Sequence, residues 1–326
     1  MPANLPPQYF EAEKRYRSAK NTPEKIEALE EMLAIMPKHK GTDHLRAELR
    51  QRIAKLTQAS EKKAATQRAS MVIEKEGAAQ VVVIGTPNVG KSQLVSSLTN
   101  ATPTIAEYPF TTQKTTVGMM EFENIKIQLI DTPPLAPQPI DFWLPPMLRR
   151  ADALLVMVDL GDAPLAQMEA ITTQLENMRI AVGSSSPAGD GSIVLHQKKA
   201  LIIGNKIDLT NASENYIALE NKYKEQVPVI AISAKEGIGL EDLKHKIYQL
   251  LNIIRVYTKT PGKKPEFNDP IILEKGSTLE DAAAEVHKDF AARLKYARIW
   301  GSGKHDGVMA KRDHILQDGD VIDLHL

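Results

Sequence analysis

Apolar residues along this chain follow two different periods, and the change between them divides the sequence. Between residues 22 and 56 they recur every three to four positions. Ile26, Leu29, Leu33 and Met36 make one helical face, and Leu45, Leu49, Ile53 and Leu56 make another. Thr22 followed by Pro23 reads as an N-cap with proline in the first turn, and Pro37 stops the helix. With Lys40-Gly41-Thr42 between them, the two stripes predict an N-terminal helical hairpin within residues 1–68. From about residue 69, short apolar runs alternate with amphipathic segments. Residues 80–84, 117–121, 125–131, 153–159, 200–204 and 227–232 read as strands, and 91–99, 164–179, 212–224 and 240–252 as helices. That alternation predicts an α/β domain over 69–252, with a mainly parallel sheet and helices on both faces. Few polar residues around Glu123-Asn124 separate the second and third runs, so these form a hairpin and supply one antiparallel edge strand. The glycine- and serine-rich stretch 183–191 reads as a surface insertion.

The pattern changes again over 253–326. Pro261-Gly262-Lys263-Lys264-Pro265 is an exposed turn or linker, and Ser277-Thr278-Leu279-Glu280 a capping box opening an amphipathic helix through Phe290. Strands are expected at 270–274, 296–300 and 320–325. Together they predict a small α+β unit, a strongly curved sheet holding one helix.

Composition removes some functions and leaves others open. Lysine plus arginine equals aspartate plus glutamate, 41 against 41, so any basic surface must be local. One such surface lies over 37–68, where nine basic residues face three acidic ones. It predicts contact with RNA phosphates through Arg46, Arg50, Arg52 and Lys55. From Lys259 to Leu326 the balance is near neutral, 11 basic against 12 acidic. The absence of cysteine excludes a disulfide scaffold, thiol catalysis and cysteine-ligated zinc, and fits a reducing compartment. No basic segment followed by an apolar run opens the chain, and no run reaches the ~18 apolar residues of a membrane span. The expectation is a cytoplasmic monomer without membrane contact.

The chemistry concentrates where strands end. Gly85-Thr86-Pro87-Asn88-Val89-Gly90-Lys91-Ser92 follows the first buried strand and opens into the helix beginning Gln93-Leu94. Its glycine spacing lets backbone N–H groups turn inward upon a polyphosphate, with Pro87, Asn88, Val89, Gly90 and Gln93 forming the cradle. Lys91 would reach the β- and γ-phosphates, and Ser92 would ligate Mg²⁺. Asn205-Lys206-Ile207-Asp208 ends the fifth strand, where the Asp208 carboxylate can accept from the N1–H and exocyclic amine of guanine; adenine offers no such edge. Ser233-Ala234-Lys235 would back the same base through main-chain contacts. Asp131 closes the third strand, placed to hold Mg²⁺ through a water. Between the first helix and second strand, Thr112, or its neighbour Thr111, would bring a hydroxyl to Mg²⁺ and the γ-phosphate. The pattern therefore predicts GTP or GDP with Mg²⁺ as the ligands.

Taken together, GTPNVGKS, Tyr108-Pro109-Phe110-Thr111-Thr112, NKID and SAK resemble the Obg class of GTPases. The lead-in Pro37-Lys38-His39-Lys40-Gly41-Thr42, the segment 75–80, and 254–262 followed by 296–301 and 313–321 are similar to the developmentally regulated GTP-binding protein (DRG) branch. The resemblance implies a P-loop GTPase domain followed by a ubiquitin-like TGS domain. It further implies slow GTP hydrolysis by Lys91 and Thr112, a potassium ion held by Asn88, association with the ribosome or structured RNA, and a protein partner for the TGS domain. A GTP-binding adaptor that hardly hydrolyses is the rival. Two departures stand out. About 20 residues separate Asp131 from Ala153, so the family's inserted domain is expected to be missing. Pro134 replaces the glycine of the family's DxxG, and Leu135 occupies the position of the water-orienting glutamine of Ras-like GTPases.

Overall fold

The computed structural model describes residues 6–19, 21–37, 42–70, 73–99, 104–107, 114–135, 141–183, 195–259, 265, 267–302 and 307–325. They fall into two compact units, Met1–Val72 and Ile73–Leu326. In the first, α1 (Pro7–Ser18), α2 (Thr22–Ile35) and α3 (Asp43–Ser70) pack in sequence. Both expected stripes are used except at Ile26, and Met32 joins them: Leu29, Met32, Met36 and Leu49 are buried, with Leu33, Leu45, Ile53 and Leu56 against them. The expected hairpin is thus a three-helix unit, because α1 adds Tyr9 and Ala12 to the same core. The cap of α2 also lies one residue earlier than expected. Asn21, not Thr22, accepts from the Glu24 N–H at 3.0 Å.

The second unit begins with β1 (Ala79–Gly85), buried at all seven positions as a strand covered on both faces must be. There follow α4 (Lys91–Leu98), β2 (Thr104–Glu107), β3 (Lys114–Phe122), β4 (Ile125–Asp131), α5 (Leu144–Arg150) and β5 (Ala153–Asp159). Next come α6 (Pro164–Asn177), β6 (Ile180–Val182), β7 (His196–Lys198), β8 (Ala200–Asn205), α7 (Ala212–Tyr223), β9 (Val229–Ala231) and α8 (Leu240–Leu251). Seven strands form one sheet in the order β2-β3-β4-β1-β5-β8-β9. From β4 through β9 the pairing is parallel, while β3 runs antiparallel to both β4 and β2. The antiparallel strand is therefore not the edge: β2 lies outside it. An edge strand of four residues, Thr-Ile-Ala-Glu, carries no apolar pattern to announce itself. Helix α5 was hidden by Pro145 and Pro146, which the first turn of a helix accepts. Residues 184–191 of the expected insertion lie outside the described residues; 180–182 and 196–198 pair as a separate two-stranded sheet.

A left-handed Asn252 (φ 56°) ends α8 and turns the chain straight into β10 (Ile253–Thr258). The remaining elements are β11 (Ile271–Glu274), α9 (Leu279–Val286), α10 (Lys288–Arg293), β12 (Tyr296–Trp300), β13 (Val308–Ala310) and β14 (Val321–His325). Their sheet runs β11-β10-β14-β12-β13 and packs Leu279, Ala282 and Ala283 of α9 against Val256, Ile299 and Ile322. The capping box sits one residue later than expected, between Thr278 and Asp281, and the helix breaks at His287 instead of running to Phe290.

This second sheet docks at the end of the first sheet where β3 turns into β4. Arg255 of β10 bonds Asp318 at 2.7 Å, and also Glu123 and Asn124 in that turn. Tyr248 of α8 stacks on Phe122, lies 5.3 Å beneath the Arg255 guanidinium and bonds Asp318 at 3.0 Å. Asn124 donates to Tyr257 Oη at 2.6 Å and to the Phe267 carbonyl at 2.9 Å.

Candidate functional site

At the opposite end of the large sheet the C-terminal ends of β1, β4, β5 and β8 converge. The loop after β1 turns through Asn88 (φ 62°) and Gly90 (φ 97°) into α4. Gly85 and Gly90 are both required by close approach, and Gly90 by its left-handed conformation as well. A Cβ on Gly85 would lie 2.4 Å from the Met157 carbonyl oxygen, and one on Gly90 2.5 Å from Asn205 Nδ2. Val89 and Lys91 are buried, whereas Pro87, Asn88, Ser92 and Gln93 are exposed on the rim.

Lys91 Nζ donates to the carbonyls of Gly85 and Thr86, both at 3.1 Å. Burial pushes its pKa below the ordinary lysine range, against the pull of Asp131. Ser92 Oγ donates to Asp131 Oδ2 at 2.5 Å, while Asp131 Oδ1 is buried and has no hydrogen-bond partner. Burial raises the Asp131 pKa, and the Ser92 hydrogen bond and the Lys91 charge only partly offset it. An all-oxygen set comprising a hydroxyl and a carboxylate with an unused, buried oxygen suits Mg²⁺.

The segment after Asp131 is tied back onto β1. Thr132 donates its N–H and its hydroxyl to the Val83 carbonyl at 3.3 and 2.8 Å, and Leu135 N–H bonds Gly85 O at 3.0 Å. Pro133 and Pro134 carry no N–H. Leu135 is buried, 7% exposed.

Asn205 joins the phosphate loop to the base-reading motifs. Its Nδ2 donates to Val89 O at 2.8 Å, and its Oδ1 accepts from Ala234 N at 2.9 Å. Asp208 is exposed, and a hydrogen bond from Ser233 holds its carboxyl below the usual range. Lys206, at φ 67°, pairs with Asp159 at the end of β5. Ser97 Oγ of α4 donates to the Ala234 carbonyl at 3.0 Å, and Lys235 is exposed beside Glu236. The fold thus gathers Pro87 to Gln93, Asp131, Asn205, Lys206, Asp208 and Ser233 to Lys235 around one rim. Thr111 and Thr112 lie outside the described residues. Two participants escaped sequence reasoning. Asp159 ends an apolar strand run as Asp131 does, a signal that could have been followed; Gln167, inside an amphipathic helix, gave none.

A 50S ribosome-binding GTPase model matches residues 80–198, and a TGS domain model matches 254–326. With the loop, the strand ends and the sheet topology, this defines a P-loop GTPase with a C-terminal TGS domain. An uncharacterized GTP-binding protein of Methanocaldococcus jannaschii is 29% identical over 92% of this chain and 91% of its own length. Human developmentally-regulated GTP-binding protein 2 and yeast (Saccharomyces cerevisiae) Ribosome-interacting GTPase 1 are each 26% identical, over 92% of this chain and 98% of theirs. Over nearly its whole length the chain is similar to this DRG group of GTP-binding proteins. Schizosaccharomyces pombe YchF GTPase shares the fold, with a TM-score of 0.53 at 14% identity over 77% of this chain and 99% of that one. The alignment with the Methanocaldococcus protein spans 361 positions but takes in only 92% of 326 residues, roughly 300.

Proposed function

We propose that this protein hydrolyses GTP slowly to GDP and phosphate and acts as a cytoplasmic switch associated with the ribosome or structured RNA. The observation that carries the catalytic part is the buried, unpartnered Asp131 Oδ1 beside Ser92 and Lys91. Ser92 and Asp131 would hold Mg²⁺, with Thr112 closing over it; the ion, when bound, offsets phosphate charge. Lys91 exchanges the Gly85 and Thr86 carbonyls for β- and γ-phosphate oxygens, while loop N–H groups from 87 to 93 bind the phosphate chain. Asp208 reads guanine, and Ser233, Ala234 and Lys235 back it. Leu135 cannot orient water, which makes unassisted turnover slow. Asn88, exposed at the loop's crest, is the proposed potassium ligand; hydrolysis is then faster in K⁺ than in Na⁺, and Asn88→Ala removes the difference.

Ribosome association rests on the basic α3 and on the similarity to Ribosome-interacting GTPase 1. Within α3, Arg50 and Lys55 are exposed, while Arg46 bonds the Met36 carbonyl and Arg52 pairs with Glu48. Arg50 and Lys55 therefore make the principal phosphate contacts. Co-sedimentation with ribosomes in GDP and in a non-hydrolysable GTP analogue tests the switch: binding should differ between nucleotides, fall steeply with salt, and lose that steepness when Arg50 and Lys55 are reversed to glutamate. A second reading, a GTP-binding adaptor with little hydrolysis, has one observation behind it. Every N–H from 132 to 135 is either absent or already bonded, leaving none for a γ-phosphate. Nucleotide-insensitive co-sedimentation would favour it. The TGS domain, near neutral in charge, is proposed to meet a protein partner, and the chain to act as a monomer without membrane contact; no described helix is long and apolar enough to cross a membrane.

A further inference from the structure

Gln167, in the first turns of α6, sits between the phosphate loop and the end of β5 with its amide fully engaged. Oε1 accepts from Thr86 Oγ1 at 3.2 Å and from the Asp159 N–H at 3.0 Å. Nε2 donates to the carbonyls of Asp159 and Asp162. A primary amide has two acceptor sites and two donors, and all four are used, so the side chain has one orientation only: rotated by half a turn, it would set its NH₂ against the Asp159 N–H and its oxygen against two carbonyls.

Both arms of this contact lead into the site. On one side Thr86 gives its hydroxyl to Gln167 and its carbonyl to Lys91, so the amide fixes the residue on which the lysine rests. On the other side Asp159 takes Lys206 on Oδ2 and the Gly161 N–H on Oδ1, and the next residue, Leu160, donates its N–H to the Asn205 carbonyl. The phosphate end and the base end of the rim are thereby referenced to a single side chain that needs no contact with nucleotide.

We propose that Gln167 is a positioning residue that sets the phosphate loop in register with the base-reading strand end, so that one ligand can satisfy both. The proposal rests on the nucleotide reading above. A nucleotide whose β-phosphate must reach the loop while its base sits at Asp208 depends on that register; GMP, with no β-phosphate to place, does not.

The test measures GDP and GMP affinities by titration calorimetry on the full chain, for the parent, Gln167→Leu, Thr86→Val and the double variant. Gln167→Leu should weaken GDP about tenfold, the loss of one to two hydrogen bonds, with GMP nearly unmoved. Thr86→Val should reproduce part of this, the double variant should be no weaker than Gln167→Leu alone, and Gln167→Glu, which keeps both accepted bonds, should recover part of the GDP-to-GMP ratio. An unchanged ratio in Gln167→Leu, or additive losses in the double variant, overturns the positioning role. Equal weakening of GDP and GMP with a lowered melting temperature would assign Gln167 to stability alone and overturns it too. A parent that binds no guanine nucleotide overturns the nucleotide reading itself, a result distinguishable from all of these.

Discussion

The two ends of the large sheet handle charge in opposite ways. At the TGS end, Arg255 is held by Asp318, Glu123 and Asn124 over the Tyr248 ring, and the Asp318 hydrogen bonds push its pKa above the ordinary arginine value. Tyr248, buried there beside Asp318, is pushed up to about 12. At the phosphate-loop end, burial disfavours the charged forms of Lys91 and Asp131, and one carboxylate oxygen goes unbonded. The first arrangement is complete within the protein; the second is completed by a ligand. A charged cluster that satisfies itself fastens two domains, and one left short of partners is held ready to bind.

The sharpest way to break this contrast is at the base. Asp208→Ala removes a charged acceptor of two hydrogen bonds and should weaken GTP by about 10- to 150-fold, as read by nucleotide titration. Asp208→Asn should shift preference toward a xanthine nucleotide. GTP binding at the parent's level in Asp208→Ala would remove the base-reading role.

At the TGS end the expected effect is on stability and not on nucleotide. Arg255→Ala takes the charged partner from Glu123 and from Asp318, which keeps only the Tyr248 hydroxyl and the residue-255 N–H, and should cost about 2 kcal/mol in unfolding experiments. That is below the usual cost for a fully buried pair, because Glu123 and Asp318 are partly exposed. GDP affinity should hardly move. A loss of nucleotide affinity matching the loss of stability would mean the two ends are energetically one.

The smallest effect is the pH dependence. Asp131 titrates at a raised pKa in the folded protein, so its stabilising contribution is present in acid and is lost as pH rises through that raised value. Lys91 is shifted the other way: its contribution is present in strong alkali and lost as pH falls through its lowered pKa, so at neutral pH both charges weigh against the ligand-free fold. On the proposed reading, an ionised Asp131 strengthens Mg²⁺-GDP binding without being essential to it. The melting-temperature gain from Mg²⁺-GDP should therefore grow from acid to neutral pH, while Asp131's own contribution to the nucleotide-free fold declines over the same range. A gain independent of pH would detach Asp131 from the ligand.

Much of this was legible in the sequence, for reasons that differ by region. Buried parallel strands announce themselves as apolar runs, and 125–131 and 153–159 came out to the residue. The candidate site could be proposed from the sequence because phosphate and guanine demand particular residue types at strand ends. What escaped had no such demand. The edge strand β2 needs no apolar content, β10 was masked by the helix it directly follows, and the Arg255 cluster draws its members from positions up to 195 residues apart, Glu123 to Asp318. Gln167 is silent for the same reason, since a single amide in a helix signals nothing until the fold sets Thr86 beside it.

The central claim, that the phosphate-loop end is a hydrolytic site completed by nucleotide and Mg²⁺, is tested most directly by steady-state GTP turnover of the full chain with Mg²⁺, parent against Asp131→Asn. The account predicts slow but measurable phosphate release by the parent and a loss of about a hundredfold or more in the variant, with GDP binding retained. No turnover by the parent, alone or with ribosomes, or equal turnover by the variant, would contradict it.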